Sequence, residues 1–105
     1  MSRLLDEEEV SRQLADLPGW TASGGALLAE VEAPDFRGAV RLVDAVADVA
    51  EEMDHHPDID LRYRRLRFAL STHSAGGITQ LDVELAHRVS GEARALGAVV
   101  VGSGG

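Results

Sequence analysis

The chain of 105 residues contains no cysteine, so disulfides, thiolate catalysis and cysteine-ligated metal are excluded. Aromatic residues are only 4% of the total, so a core has to be built mainly from Leu, Val and Ala. No apolar run approaches the roughly 20 residues that a bilayer-spanning helix requires. Basic residues are scarce, 10 against 18 acidic ones, for a formal net charge of -8. A surface of that sign repels phosphates, so neither nucleic acid nor a membrane is an expected partner. The stretch from Met1 to Asp16 is acidic and interrupted by charges, unlike a secretory leader, and the expected location is cytoplasmic.

What remains is the composition of an ordinary small domain, with 45% apolar residues. The length fits one domain, expected over residues 1–98, with 99–105 a flexible C-terminal tail. A domain of this size buries a modest share of its surface, so self-association is expected. The basic run Arg62, Arg64, Arg65 and Arg67 reads as an exposed strand face and turn, or as a contact to an anion or a neighbouring subunit.

Asp6, with Glu9 three residues on, predicts a capping box, and Leu5 and Val10 a hydrophobic staple. Val10, Leu14 and Leu17 continue a helix that Pro18-Gly19 ends. Two short apolar runs, Trp20 to Ser23 and Ala26 to Val31, flank Gly24-Gly25 and predict a hairpin. Pro34-Asp35 opens a second helix whose stripe is Phe36, Val40, Val43, Val46, Ala47, Ala50 and Met53, with Leu42 and Val49 beside it. So wide an apolar face suits contact with both the sheet and another subunit. Glu51 and Glu52 fall at its C-terminal end, where the helix dipole disfavours negative charge, which hints at a role for them.

Ile59, Leu61 and Tyr63 alternate with polar residues, and Leu66, Phe68 and Leu70 do the same. A turn at Arg64-Arg65 pairs Tyr63 with Leu66, Leu61 with Phe68 and Ile59 with Leu70, all on one face. Thr79 and Asp82 predict a second capping box, with Ile78 and Val83 as its staple. Leu81, Leu85, Val89, Ala93 and Leu96 extend that helix towards a stop at Gly97. The order αββαββα predicts an α+β fold. We expect a two-layer sandwich of a four-stranded, mainly antiparallel sheet with three helices on one face.

Extending the second hairpin outward sets His56 opposite His73, with His55 next to them, although Pro57 cannot donate to a ladder. Three imidazoles at one hairpin end suit acid–base chemistry, because histidine titrates near neutral pH. A three-histidine zinc site is the rival reading. Its weakness is that adjacent strand residues point to opposite faces. Any one of these histidines can also be plain surface, which is the reading for His87. Asp82 is either a simple cap or the group that orients a histidine or a substrate N–H, and one carboxylate can do both. Trp20 is core or the aromatic wall of a pocket.

The spacing of Glu51, His55-His56-Pro57, Tyr63, His73 and Asp82 resembles the signature of the pterin-4a-carbinolamine dehydratases. Asp54-His55-His56-Pro57-Asp58, Leu70-Ser71-Thr72-His73, Gly76-Gly77-Ile78-Thr79 and Gly19-Trp20 add to the resemblance, which runs from about Leu5 to Leu96. Ile59 departs from it, since many members carry an aromatic there. The resemblance implies dehydration of a 4a-hydroxy-tetrahydropterin to a quinonoid dihydropterin, in tetrahydrobiopterin recycling. It implies His55, His56 and His73 as the catalytic group. His55 and His73 would be the acid–base pair, and His56 would mainly hold the substrate. Asp82 would support the site, lined by Trp20, Glu51 and Pro57. It also implies a homodimer or homotetramer. An acid and a base are sufficient for this reaction, so no cofactor is expected. The same fold serves partner-binding roles in some relatives, which leaves a non-catalytic binding module as an alternative.

Overall fold

A computed structural model describes residues 3–102. Its elements in chain order are α1 (Glu7–Leu14), β1 (Thr21–Ser23), β2 (Ala26–Glu32), α2 (Phe36–Met53), β3 (Asp58–Arg62), β4 (Arg65–Leu70), α3 (Gln80–Ala95) and β5 (Val99–Gly102). A single 3₁₀ turn, His73–Ala75, precedes α3. The fold is α+β, with three helices and an antiparallel sheet, as the alternation of patterns predicts.

Both capping boxes form. The Asp6 carboxylate accepts from Glu9 N–H and Glu9 returns a bond to Asp6 N–H, at 2.8 and 3.0 Å. Asp82 does the same for the Thr79 cap. Helix α1 stops at Leu14 rather than Leu17. The next residues continue in i→i−3 bonds, Ala15 to Arg12 through Leu17 to Leu14, which tighten the chain before Pro18. Gly24 and Gly25 make the β1–β2 turn, both with positive φ, as a tight hairpin twisted like its strands requires.

The sheet has five strands among the described residues, not four. β4 runs along one edge of β2 from Leu27 to Glu32. β1 takes the first half of the opposite edge, and β5 pairs with Glu30 to Glu32 on its second half. The expected tail is thus a strand from Val99 to Gly102, while 103–105 lie outside the described residues. The glycine-rich end suggested a tail, but three consecutive valines favour a strand wherever an edge has unpaired N–H and C=O groups.

The second hairpin turns one residue earlier than expected, at Tyr63-Arg64. Arg62 faces Arg65, Leu61 faces Leu66 and Ile59 faces Phe68. A two-residue shift of register keeps every side chain on its face, so alternation cannot distinguish the two pairings. Charge can: the observed register sets Asp60 opposite Arg67, where the expected one sets Arg62 there. The turn puts Tyr63 at φ 53, 70% exposed, outside the core alternation.

One face of the sheet is buried. Leu27, Ala29 and Val31 of β2 and Leu66, Phe68 and Leu70 of β4 have no solvent exposure. Helix α3 packs over β2, β4 and β5, with α2 alongside it. The core is mostly Leu, Val and Ala, as the scarcity of aromatics dictates; Trp20, Phe68 and Ile78 are the exceptions among its buried residues. In α2 the buried arc is Ala39, Leu42, Val46, Val49 and Ala50, while Phe36, Val40 and Ala47 are exposed. The apolar face is wider than its contact, so periodicity placed the arc's centre about one residue off. The outer face of the sheet carries ion pairs, including Arg65 with Glu32 at 3.0 Å and Arg64 with Glu32 at 2.9 Å. No helix among the described residues is long and apolar enough to cross a membrane.

Candidate active site

Helix α2 ends in a left-handed residue, Asp54, at φ 50. Asp54 N–H donates to Glu51 C=O, and His55 N–H donates to Ala50 C=O at 3.0 Å. These two bonds make a Schellman stop, usually built on glycine. The stop turns the chain so that the next two side chains diverge. His55 is buried against α3, while His56 stays in solvent.

Each histidine meets a carboxylate. His55 Nε2 lies 2.6 Å from Asp82 Oδ1, with 10% and 0% of the two side chains exposed. His56 Nε2 lies 2.5 Å from Glu51 Oε2, with 58% and 75% exposed. Glu52, the other acidic residue at that helix end, pairs with Arg88 of α3 at 3.0 Å.

Asp82 is both cap and orienting group. Its Oδ2 accepts from Thr79 N–H at 2.9 Å and from the Thr72 hydroxyl at 2.8 Å, while Oδ1 faces His55. A buried carboxylate needs such partners, since an unpaired charge is costly away from water. Thr72 and Thr79 are themselves 2.8 Å apart, oxygen to oxygen, and both are buried.

His73 does not lie opposite His56. The ladder ends at Asp58 and Ala69, and continuing it would set His56 opposite Ser71. His73 opens the 3₁₀ turn instead and is exposed. Its loop closes on itself through Thr72 N–H to Gly77 C=O at 2.8 Å. His73 is therefore anchored one residue from Thr72, which is bonded to the same carboxylate as His55. Pro57 is half-buried between His56 and the start of β3. Trp20 is 4% exposed and donates from Nε1 to Ser90 Oγ at 2.8 Å. It lines a cavity of about 590 Å³ between α1, the β1–β2 hairpin and Gly76-Gly77, whose lining includes none of the histidines. His87 is exposed on α3.

Sequence reasoning quoted Thr72 only within the run Leu70-Ser71-Thr72-His73 and gave it no role. The signal was there: Leu66, Phe68 and Leu70 face inward, and the same alternation carries Thr72 inward, where a hydroxyl requires a partner.

A buried and an exposed histidine–carboxylate pair at adjacent positions are groups that can take part in proton transfer. Comparison with known proteins gives the same direction. Residues 3–91 match the family model described as Pterin 4 alpha carbinolamine dehydratase, and the chain belongs to that family. A Nocardia farcinica protein, provisionally named a pterin-4-alpha-carbinolamine dehydratase, is 48% identical over 89% of this chain and 98% of its own. A Mycolicibacterium smegmatis protein with the same name is 47% identical over 83% of this chain and 93% of its own. The crystal structure of a transcriptional coactivator/pterin dehydratase from Brucella melitensis matches with a TM-score of 0.83 at 33% identity, over 85% of this chain and 97% of that one. Strand β5 lies beyond the residues that match the family model.

Proposed function

We propose that this chain is a hydro-lyase that dehydrates a 4a-hydroxy-tetrahydropterin to the quinonoid dihydropterin, as the names of its relatives suggest, and serves tetrahydrobiopterin recycling. The observation that carries the reading is the buried His55–Asp82 pair, with His56–Glu51 next to it in the chain and His73 adjoining Thr72, which bonds the same carboxylate. The C4a hydroxyl must gain a proton to leave as water. The N5–H proton must be lost as its electron pair forms the C4a=N5 bond. One acid and one base on the two sides of the C4a–N5 bond are sufficient.

In this reading His55 and His73 are the acid–base pair. His56, exposed and paired with Glu51, binds the pterin, and Pro57 shapes the wall beside it. Asp82 holds His55. Trp20 supports the site indirectly, through its hydrogen bond to α3. The working form is a homo-oligomer, consistent with the exposed apolar face of α2 at Phe36 and Val40.

The test is a stopped-flow assay of 4a-hydroxy-tetrahydropterin dehydration, with native and EDTA-treated protein. Strong acceleration that survives EDTA is the expected result. No acceleration from folded protein would overturn the proposal, and activity lost to EDTA and restored by zinc would replace it with the metal reading.

A further inference from the structure

The polar network around Asp82 has a direction that can be worked out from proton counts. A threonine hydroxyl carries one proton and can accept two hydrogen bonds. Thr72 donates its proton to Asp82 Oδ2. In the 2.8 Å contact between the two threonines, Thr79 must therefore be the donor and Thr72 the acceptor. Thr79 Oγ1 accepts in turn from Leu81 N–H at 3.2 Å. The chain of donors thus runs from the first turn of α3 through Thr79 and Thr72 to the carboxylate.

Oδ2 receives two donors, Thr72 O–H and Thr79 N–H, and so acts as a carboxylate acceptor. Oδ1 is left to accept from the imidazole. A neutral His55 beside an ionised Asp82 carries its proton on Nε2, and Nδ1 holds the lone pair. Nδ1 has no hydrogen-bond partner among the described residues, yet no buried side-chain nitrogen or oxygen among them lacks one. Nδ1 is accordingly on the solvent-reachable side of the ring.

We propose that Thr72 is a positioning residue whose hydroxyl locks the Asp82 carboxylate, and that the locked carboxylate makes His55 Nδ1 the base of the site. This rests on the dehydratase reading for its chemistry. The N5–H proton passes to Nδ1. The N5 electron pair forms C4a=N5, and the C4a–O bond breaks, with the hydroxyl leaving as water on a proton from the acid. The imidazolium formed is held by Asp82 and returns its proton to solvent. Without the Thr72 hydroxyl, Oδ2 keeps a single donor and Thr79 loses its acceptor. The carboxylate can then rotate, and His55 is free to take the other tautomer, which presents an N–H where a lone pair is needed.

The test has two arms. Long-range ¹H–¹⁵N correlation spectra of ¹⁵N-labelled protein read the His55 tautomer directly, with the signal assigned by its absence in His55→Gln. Steady-state kinetics on Thr72→Val and Thr72→Ser read the catalytic consequence. The expected result is an Nε2–H tautomer in the native protein. Thr72→Val should mix the tautomers and lower kcat about 10-fold with KM little changed, and Thr72→Ser should restore both. An Nδ1–H tautomer in the native protein overturns the proposal, and this readout does not depend on any variant folding. So does a Thr72→Val protein that keeps its tautomer and its kcat, or a Thr72→Ser protein as impaired as Thr72→Val. If the folded native protein shows the Nε2–H tautomer, lost in Thr72→Val, but accelerates no dehydration, the positioning role stands and the dehydratase reading falls.

Discussion

His55 and His56 are neighbours in the chain, and each meets a carboxylate at almost the same distance, 2.6 and 2.5 Å. Their surroundings differ. Asp82 has no exposed surface and three polar groups around its oxygens, whereas Glu51 is 75% exposed with His56 as the one partner of its side chain among the described residues. Hydrogen bonds of this kind strengthen as water is withdrawn, and leaving one partner unsatisfied becomes costly for the same reason. The buried pair is therefore built for fixed geometry. The exposed pair can open to admit a ligand at little cost.

Removing the groups proposed to transfer protons gives the largest expected effect. His55→Ala and His73→Ala should each slow dehydration by roughly 10²-fold or more, as loss of an acid or base does. Asp82→Ala comes next. It strands Thr72 O–H, Thr79 N–H and His55 Nε2 in a buried space, so thermal or denaturant unfolding should show a loss of about 2–4 kcal/mol, with activity falling as well. Glu51→Gln should change stability by less than about 1 kcal/mol, the range for exposed pairs. A double-mutant cycle sharpens the contrast. Coupling of roughly 1.5–3 kcal/mol is expected for His55 with Asp82, and under about 1 kcal/mol for His56 with Glu51. Equal couplings would dissolve the distinction between the two pairs.

The smallest effect concerns a third carboxylate, Glu9 in the first turn of α1. The Arg3 guanidinium, and then the Asp6 backbone N–H, hold the Glu9 carboxyl down at about 2, from an ordinary 4.5. A lowered value means that ionised Glu9 favours the folded state. Its contribution is present above about pH 4.5 and is lost as the pH falls towards about 2. Acid titration of helix content in Glu9→Gln should lack the part of this dependence that the native protein shows.

Much of this was legible in the sequence, and the exceptions have physical causes. Local rules found the caps at Asp6 and Thr79 and the Gly24-Gly25 turn, because each depends on a few adjacent residues. Alternation found the inner faces of β3 and β4 but not their register, since a two-residue slip leaves the faces unchanged. That slip separated His56 from His73. Strand β5 was missed because its pairing partner, β2, lies some seventy residues away in the chain. Of the site, the bond between Asp82 and His55 was one of two open readings, and the hydroxyl of Thr72 was not seen at all. Both depend on the first turn of α3 meeting His55 after α2 and Thr72 after β4, which is a tertiary fact.

The kinetic split between the two neighbouring histidines tests the account most directly. Steady-state dehydration kinetics of His55→Ala and His56→Ala should differ in kind. His55→Ala should lose kcat with KM little changed, and His56→Ala should raise KM more than it lowers kcat. Equal losses of kcat in both variants, or a kcat loss confined to His56→Ala, would contradict the assignment of proton transfer to the buried pair and binding to the exposed one.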